Sequence, residues 1–160
     1  MQATALDRET ASRNDDHHAL RLWLRLLTCT QLIERRVRAR LRERFDTTLP
    51  RFDLMSQLWR YPAGLKMNEL SRHLMVTGGN ITGIVDPLER QGLVERAAEP
   101  ADRRAYRVRL TRAGRKAFAD MARAHEEWTV ELLAGLSRRE HAEIYRLLGR
   151  LKQVTLEAQP

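Results

Sequence analysis

From His17 to Phe45 apolar residues recur at steps of three and four. Leu22, Leu26, Cys29, Ile33, Val37, Leu41 and Phe45 form one stripe, which predicts a long helix. Asn14, Asp15 or Asp16 is placed to cap its start. Leu20, Trp23, Leu24 and Leu27 add a second apolar face to its first half. A helix apolar on two sides packs against more than its own domain, and a partner subunit is the economical reason. Thr47-Thr48-Leu49-Pro50 then breaks the period. A second helix, about 51–61, buries Phe52, Met55, Leu58 and Trp59 and stops at Pro62-Ala63-Gly64.

The middle of the chain changes period twice. Leu65-Lys66-Met67 reads as a short bridging strand, and Asn68 as the cap of a helix with Leu70 and Leu74 inward. Val76-Thr77 turns the chain, and Thr77 caps the next helix, 78–91. Two short helices joined this tightly make a helix-turn-helix. Ile81, Ile84, Val85 and Leu88 point inward on the second of them. Gly79, Asn80, Thr82, Gly83, Asp86 and Arg90 are left outward. Gly92 supplies the left-handed residue that ends it. Strands follow from Leu93-Val94 and through R-A-Y-R-V-R-L, with Tyr106, Val108 and Leu110 or their complement inward. The E-P-A-D-R-R between them is a turn by composition.

Thr111 caps a further long helix with the stripe Phe118, Met121, His125, Trp128, Leu132 and Leu136. Ser137 with Glu140 is a capping box for a last helix, whose apolar side is Ile144, Leu147, Leu148, Leu151 and Val154. The expected fold is mostly α (α+β), a helix-turn-helix and a β-hairpin between long terminal helices. Residues 1–14 read as a flexible tail, 15–50 and 111–160 as flanking helices, and 51–110 as the central lobe, together one intertwined domain.

The chain has 160 residues, 42% of them hydrophobic, which suffices for one core. No apolar run approaches the roughly 18 residues that span a bilayer, and the N-terminus lacks the pattern of a signal peptide. A soluble, cytoplasmic protein with no membrane partner is expected. The single Cys29 fits that expectation, since disulfide scaffolds need pairs. The net charge of +8 rests mostly on arginine, whose planar fork suits phosphates and guanine edges. Basic excess points to a polyanion without choosing among DNA, RNA and membrane. The densest stretch, R-R-V-R-A-R-L-R-E-R at 35–44, reads first as a solvated arginine face around buried Val37 and Leu41, and second as a patch facing phosphates or an anionic effector.

Short side chains on the 78–91 helix bring its backbone close to base edges. There Asn80 can bond adenine bidentately and Thr82 can touch a thymine methyl. Gly78, Gly79 and Gly83 each cost roughly 1 kcal/mol against alanine in a helix, so close approach is the better reason for them than tight packing within the protein. In Asp102-Arg103-Arg104 the aspartate can hold Arg104 extended toward a narrow minor groove, while Arg103 serves the phosphate backbone. A solvated hairpin tip is the bland alternative.

N-E-L-S-R-H-L, V-T-G-G-N-I-T-G-I-V-D, L-E-R-Q-G-L-V-E-R, D-R-R-A-Y-R-V-R-L-T and A-G-R together resemble the winged helix-turn-helix of the MarR (multiple antibiotic resistance regulator) family, over about residues 20–155. The resemblance implies a homodimeric regulator of double-stranded DNA, usually a repressor, released from a pseudo-palindrome by a small ligand. It puts Thr77, Gly79, Asn80, Thr82, Gly83 and Arg90 at the DNA with Asp102, Arg103 and Arg104, and gives dimerisation to the first, fifth and sixth helices. Pro87 departs from the family pattern, where a basic residue commonly follows V-D. An interior proline removes a helix hydrogen bond and predicts a kink or an altered docking.

Effector residues are expected among Trp23, Met55, Trp59, Met121, His125 and Trp128, all of which also read as core. A looser resemblance reaches members answering to aromatic acids or their coenzyme A thioesters. Cys29, on a buried-looking stripe, reads as packing, with peroxide sensing the alternative. His125 reads as a half-buried histidine. No metal, cofactor or catalytic constellation stands out, so an enzyme is not expected. The rival from another class is a winged helix used for protein–protein contact.

Overall fold

The computed structural model describes residues 17–99 and 102–158; the side chains of Glu99 and of residues 102–105 also lie outside that description. The tail expected over residues 1–14 and its capping residues therefore lie outside the described residues. Six helices and three strands follow in order: α1 His18–Phe45, α2 Leu49–Arg60, β1 Leu65–Lys66, α3 Met67–His73, α4 Gly78–Arg90, β2 Val94–Glu99, β3 Asp102–Leu110, α5 Arg112–Leu133 and α6 Arg138–Glu157. The architecture is mostly helical with a small antiparallel sheet, as the periodicity predicts.

The chain forms two compact units, one ending at Arg123 and one running from Ala124. The core of the first is Leu41 of α1, Leu54, Met55 and Leu58 of α2, Leu70 of α3 and Ile81, Val85 and Leu88 of α4, closed by Val94 and Val108 of the sheet. The strand order is β1-β3-β2. Leu65 pairs with Val108, and the β2–β3 ladder runs from Val94↔Leu110 to Ala98↔Tyr106, shifting at Ala98/Glu99. One strand face thus buries Val108 and Leu110, whereas Tyr106, expected with them, is exposed.

Several local expectations are corrected. Only Val37 and Leu41 of the α1 stripe are buried; Leu22, Cys29 and Ile33 are exposed, so Cys29 is not packed within this chain. Trp59 is exposed, and Leu54 takes the interior place on α2. That helix begins at Leu49, because Pro50 in its first turn gives up no hydrogen bond there. Lys66, not Asn68, precedes α3, and its backbone N–H donates to the Glu69 carboxylate at 2.7 Å. Leu136 lies beyond the end of α5 and is exposed. Helix α4 runs through Pro87 to Arg90, within one residue of the expected 78–91.

Other signals are met as read. Gly92 has φ +69 after α4. Thr111 Oγ1 accepts from Gly114 N at 2.9 Å in the first turn of α5. In the second unit, Ser137 and Glu140 cap α6 reciprocally, with Ser137 N donating to Glu140 Oε2 at 2.7 Å. No residue of α6 is buried.

Candidate nucleic-acid interface

Helix α4 displays what its sequence puts outward. Thr77, Gly79, Asn80, Thr82, Gly83 and Arg90 are all exposed, opposite the buried Ile81, Val85 and Leu88. Thr77 precedes the helix in extended conformation and its carbonyl accepts from Ile81 N at 3.1 Å, although its hydroxyl makes no capping bond. Thr82 Oγ1 donates back to the Gly78 carbonyl at 3.5 Å. A β-carbon on Gly78, Gly79 or Gly83 would meet nothing within 4 Å. Packing inside the chain therefore does not require these glycines. What they keep clear is the outer surface of the helix.

The turn before α4 is held tightly. Ser71 Oγ donates to the Val76 carbonyl at 2.5 Å, and Met75, with φ +53, stands almost wholly in solvent.

One member of this surface escapes a reading by sequence. Arg96 of β2 reaches both Asp86 and Glu89 of α4, donating from Nη2 to the first and Nη1 to the second. The Asp86 hydrogen bond, with the Glu89 charge beside it, holds the guanidinium above the usual arginine range. Asp86, expected on the open face, is instead half-buried and engaged. The clamp ties the middle of α4 to the strand beside it and offsets two carboxylates on a surface that would face phosphates. Its only trace in the sequence is an Asp and a Glu three apart with an arginine seven residues on. On β3, Arg109 pairs with Glu95 across the strands at 2.6 Å. Asp102 begins that strand; the side chains of Asp102, Arg103 and Arg104 lie outside the described residues.

The residues expected at an effector are divided between the two units. Met55 and Met121 line one cleft of about 390 Å3 together with Phe45, Asp46 and Asp120. That cleft offers carboxylates and no arginine or lysine, which suits an anion poorly. Trp59 packs its ring, tilted by 44°, against Phe118 with centroids 5.4 Å apart, and Trp23 is 57% exposed on α1. His125 and Trp128 belong to the second unit. Trp128 is buried, and burial lowers the pKa of the half-buried His125. The arginines at 35–44 surround buried Val37 and Leu41, with Arg38 paired to Glu34 at 3.1 Å. Among the described residues no group of His, Cys, Asp and Glu could hold a metal, and no helix is long and apolar enough to cross a membrane.

The chain is similar to known proteins in sequence and in fold. The pattern of the MarR family matches residues 47–106. The structure is similar to that of a MarR family transcriptional regulator from Silicibacter pomeroyi, at 30% identity and a TM-score of 0.77, covering 90% of this chain and 99% of that one. The transcriptional activatory protein BadR of Rhodopseudomonas palustris is 30% identical over 106 residues, 65% of this chain and 60% of the relative. The HTH-type transcriptional regulator YcgE of Bacillus subtilis is 28% identical over 113 residues, 71% of each chain.

Proposed function

Because the chain belongs to the MarR family and is a DNA-binding transcriptional regulator rather than an enzyme, we propose that it works as a homodimeric repressor that leaves its operator when a small aromatic acid or acyl-CoA-type ligand binds. The observation that carries the DNA reading is the glycine-lined face of α4. Three helix-weakening residues are kept where no atom of the chain demands them. A base-edge contact is what that clearance serves, with Asn80 reading adenine and Thr82 a thymine methyl. Arg90, Arg103 and Arg104 supply charge toward phosphate and minor groove, the part that the Asp102-Arg103-Arg104 sequence suggests for the hairpin tip.

Dimerisation is supported by apolar faces with no cover. Helix α1 exposes Leu20, Leu22, Trp23, Leu32 and Ile33, and α6 exposes Ile144, Leu147, Leu148, Leu151 and Val154. A second copy covering them also duplicates the reading helix, which matches a two-fold operator.

The test is fluorescence anisotropy with an inverted repeat taken from DNA upstream of the chain's own coding region. Specific binding with a steep salt dependence is expected, with half-sites about one helical turn apart. Binding equal on all sequences at ~150 mM salt would sink the operator reading. The sign of control is decided by a reporter, whose output rises when the regulator is deleted if it represses. The activatory name of the BadR relative makes that arm necessary.

A further inference from the structure

A cleft of about 650 Å3 opens in the first unit where the end of α2, the turn before β1 and one side of α3 meet. It lies apart from the glycine-lined face of α4. Glu69, Arg72 and His73 share the side of α3 that lines it, whereas Ser71, bonded into the turn leading to α4, lies on another side.

Its floor is rigid. Gly64, at φ +86, sits so close to β3 that a β-carbon would be 2.7 Å from the Val108 carbonyl oxygen. Gly64 N donates to Tyr61 O at 2.9 Å, closing the turn. Arg107 of β3 donates from Nη1 to the Gly64 carbonyl at 3.0 Å, which anchors that guanidinium at the cleft. One wall is aromatic, with the Tyr61 and His73 rings 5.3 Å apart between centroids. Pro62, Ala63 and Leu65 extend it as apolar surface.

The charge is one-sided. Three arginines line the cleft against one glutamate, and the Glu69 carboxylate already accepts from Lys66 N. Among the described residues Arg60 and Arg72 have no ion-pair partner. Size, aromatic wall and the excess of arginine in the lining select a ring bearing an oxyanion, since small-molecule sites of roughly 300–1,000 Å3 combine apolar lining with a few placed polar groups and arginine forks match carboxylate and phosphate.

We propose that this cleft binds a small aromatic oxyanion, a ring carrying a carboxylate or a phosphate, held by Arg60 and Arg72 and stacked on Tyr61 and His73. Because α3 and β3 both border the cleft, its occupancy bears directly on the helix-turn-helix and on the strand that leads from the wing. That regulatory consequence rests on the ligand-responsive reading above; the site itself does not.

Isothermal titration of the full chain tests it, using benzoate, phenyl phosphate and inorganic phosphate as probes. Both ring-bearing probes are expected to bind once per chain, and inorganic phosphate at least roughly tenfold more weakly. The Arg60→Gln/Arg72→Gln double variant should lose about tenfold or more in affinity for both rings with its melting temperature unchanged. Tyr61→Ala should weaken only the ring-bearing probes. Unchanged affinity in the double variant, or no binding of either ring anion to the parent chain, overturns the assignment. So does a double variant that binds operator DNA with a shallower salt slope while the parent binds no ring anion, because the cleft then seats a DNA phosphate. Operator binding by the parent chain, measured in parallel, scores the regulator reading separately.

Discussion

Gly114 of α5 presses its backbone against the Leu93 carbonyl: a β-carbon on Gly114 would lie 1.8 Å from that oxygen. The same carbonyl accepts from Thr111 N at 3.1 Å, and Thr111 Oγ1 donates to the Gly92 carbonyl at 2.6 Å. The end of α4, the start of the wing and the first turn of α5 are thus locked at one point. Gly114→Ala forces α5 off this seat. It should destabilise the chain by roughly 2–4 kcal/mol, read as a lower melting temperature by calorimetry.

Gly83→Ala should act in the opposite sense. Its added methyl meets no atom and removes glycine's helix penalty, for a gain of up to about 1 kcal/mol in stability. The same methyl stands on the face proposed to meet base edges, so operator affinity should fall. A variant that is more stable and binds DNA as tightly as the parent would refute the reading of that face.

Arg96→Met leaves Asp86 and Glu89 without their common partner. Both carboxylates are more than a third exposed, so the stability loss should stay near 1 kcal/mol. DNA affinity should fall by roughly tenfold at low salt, because two uncompensated negative charges then face the phosphates. Adding Asp86→Asn and Glu89→Gln should restore most of that affinity if repulsion is the cause. Titration of operator DNA at two salt concentrations checks both statements.

Leu148→Asp introduces a charge on the uncovered side of α6. In the proposed dimer that carboxylate is buried without a partner, which disfavours association by several kcal/mol. Sedimentation should show a monomer at micromolar concentration that no longer binds the inverted repeat.

Burial lowers the pKa of His125 below its ordinary 6.5. The folded chain therefore holds fewer protons than the unfolded chain just below that pH. The His125 contribution is intact above about pH 6.5 and is lost as pH falls from there toward the lower folded pKa. Denaturant titrations at pH 7.5 and 5.5 should show a drop that His125→Gln reduces.

The elements were legible wherever the determining forces act along the chain. Thr77 and Gly92 bracket α4, and Ser137 and Glu140 open α6, because caps act within a few residues. The outward set on α4 follows from the same periodicity. Periodicity groups residues on a face without telling what covers it, and for that reason Cys29, Ile33 and Trp59 read as core yet stand exposed in this chain. The Arg96 clamp and the Arg60–Arg72 cleft were invisible for another reason. Each joins side chains from separate elements whose meeting depends on the sheet and helix packing, which no local spacing encodes.

Arg96 also removes a degree of freedom. With α4 tied to β2 through two carboxylates, the helix proposed to enter the groove and the hairpin beside it share one anchor. In the proposed regulator, a displacement of either one is passed to the other, so the proposed groove and flanking contacts are expected to be lost together rather than in stages.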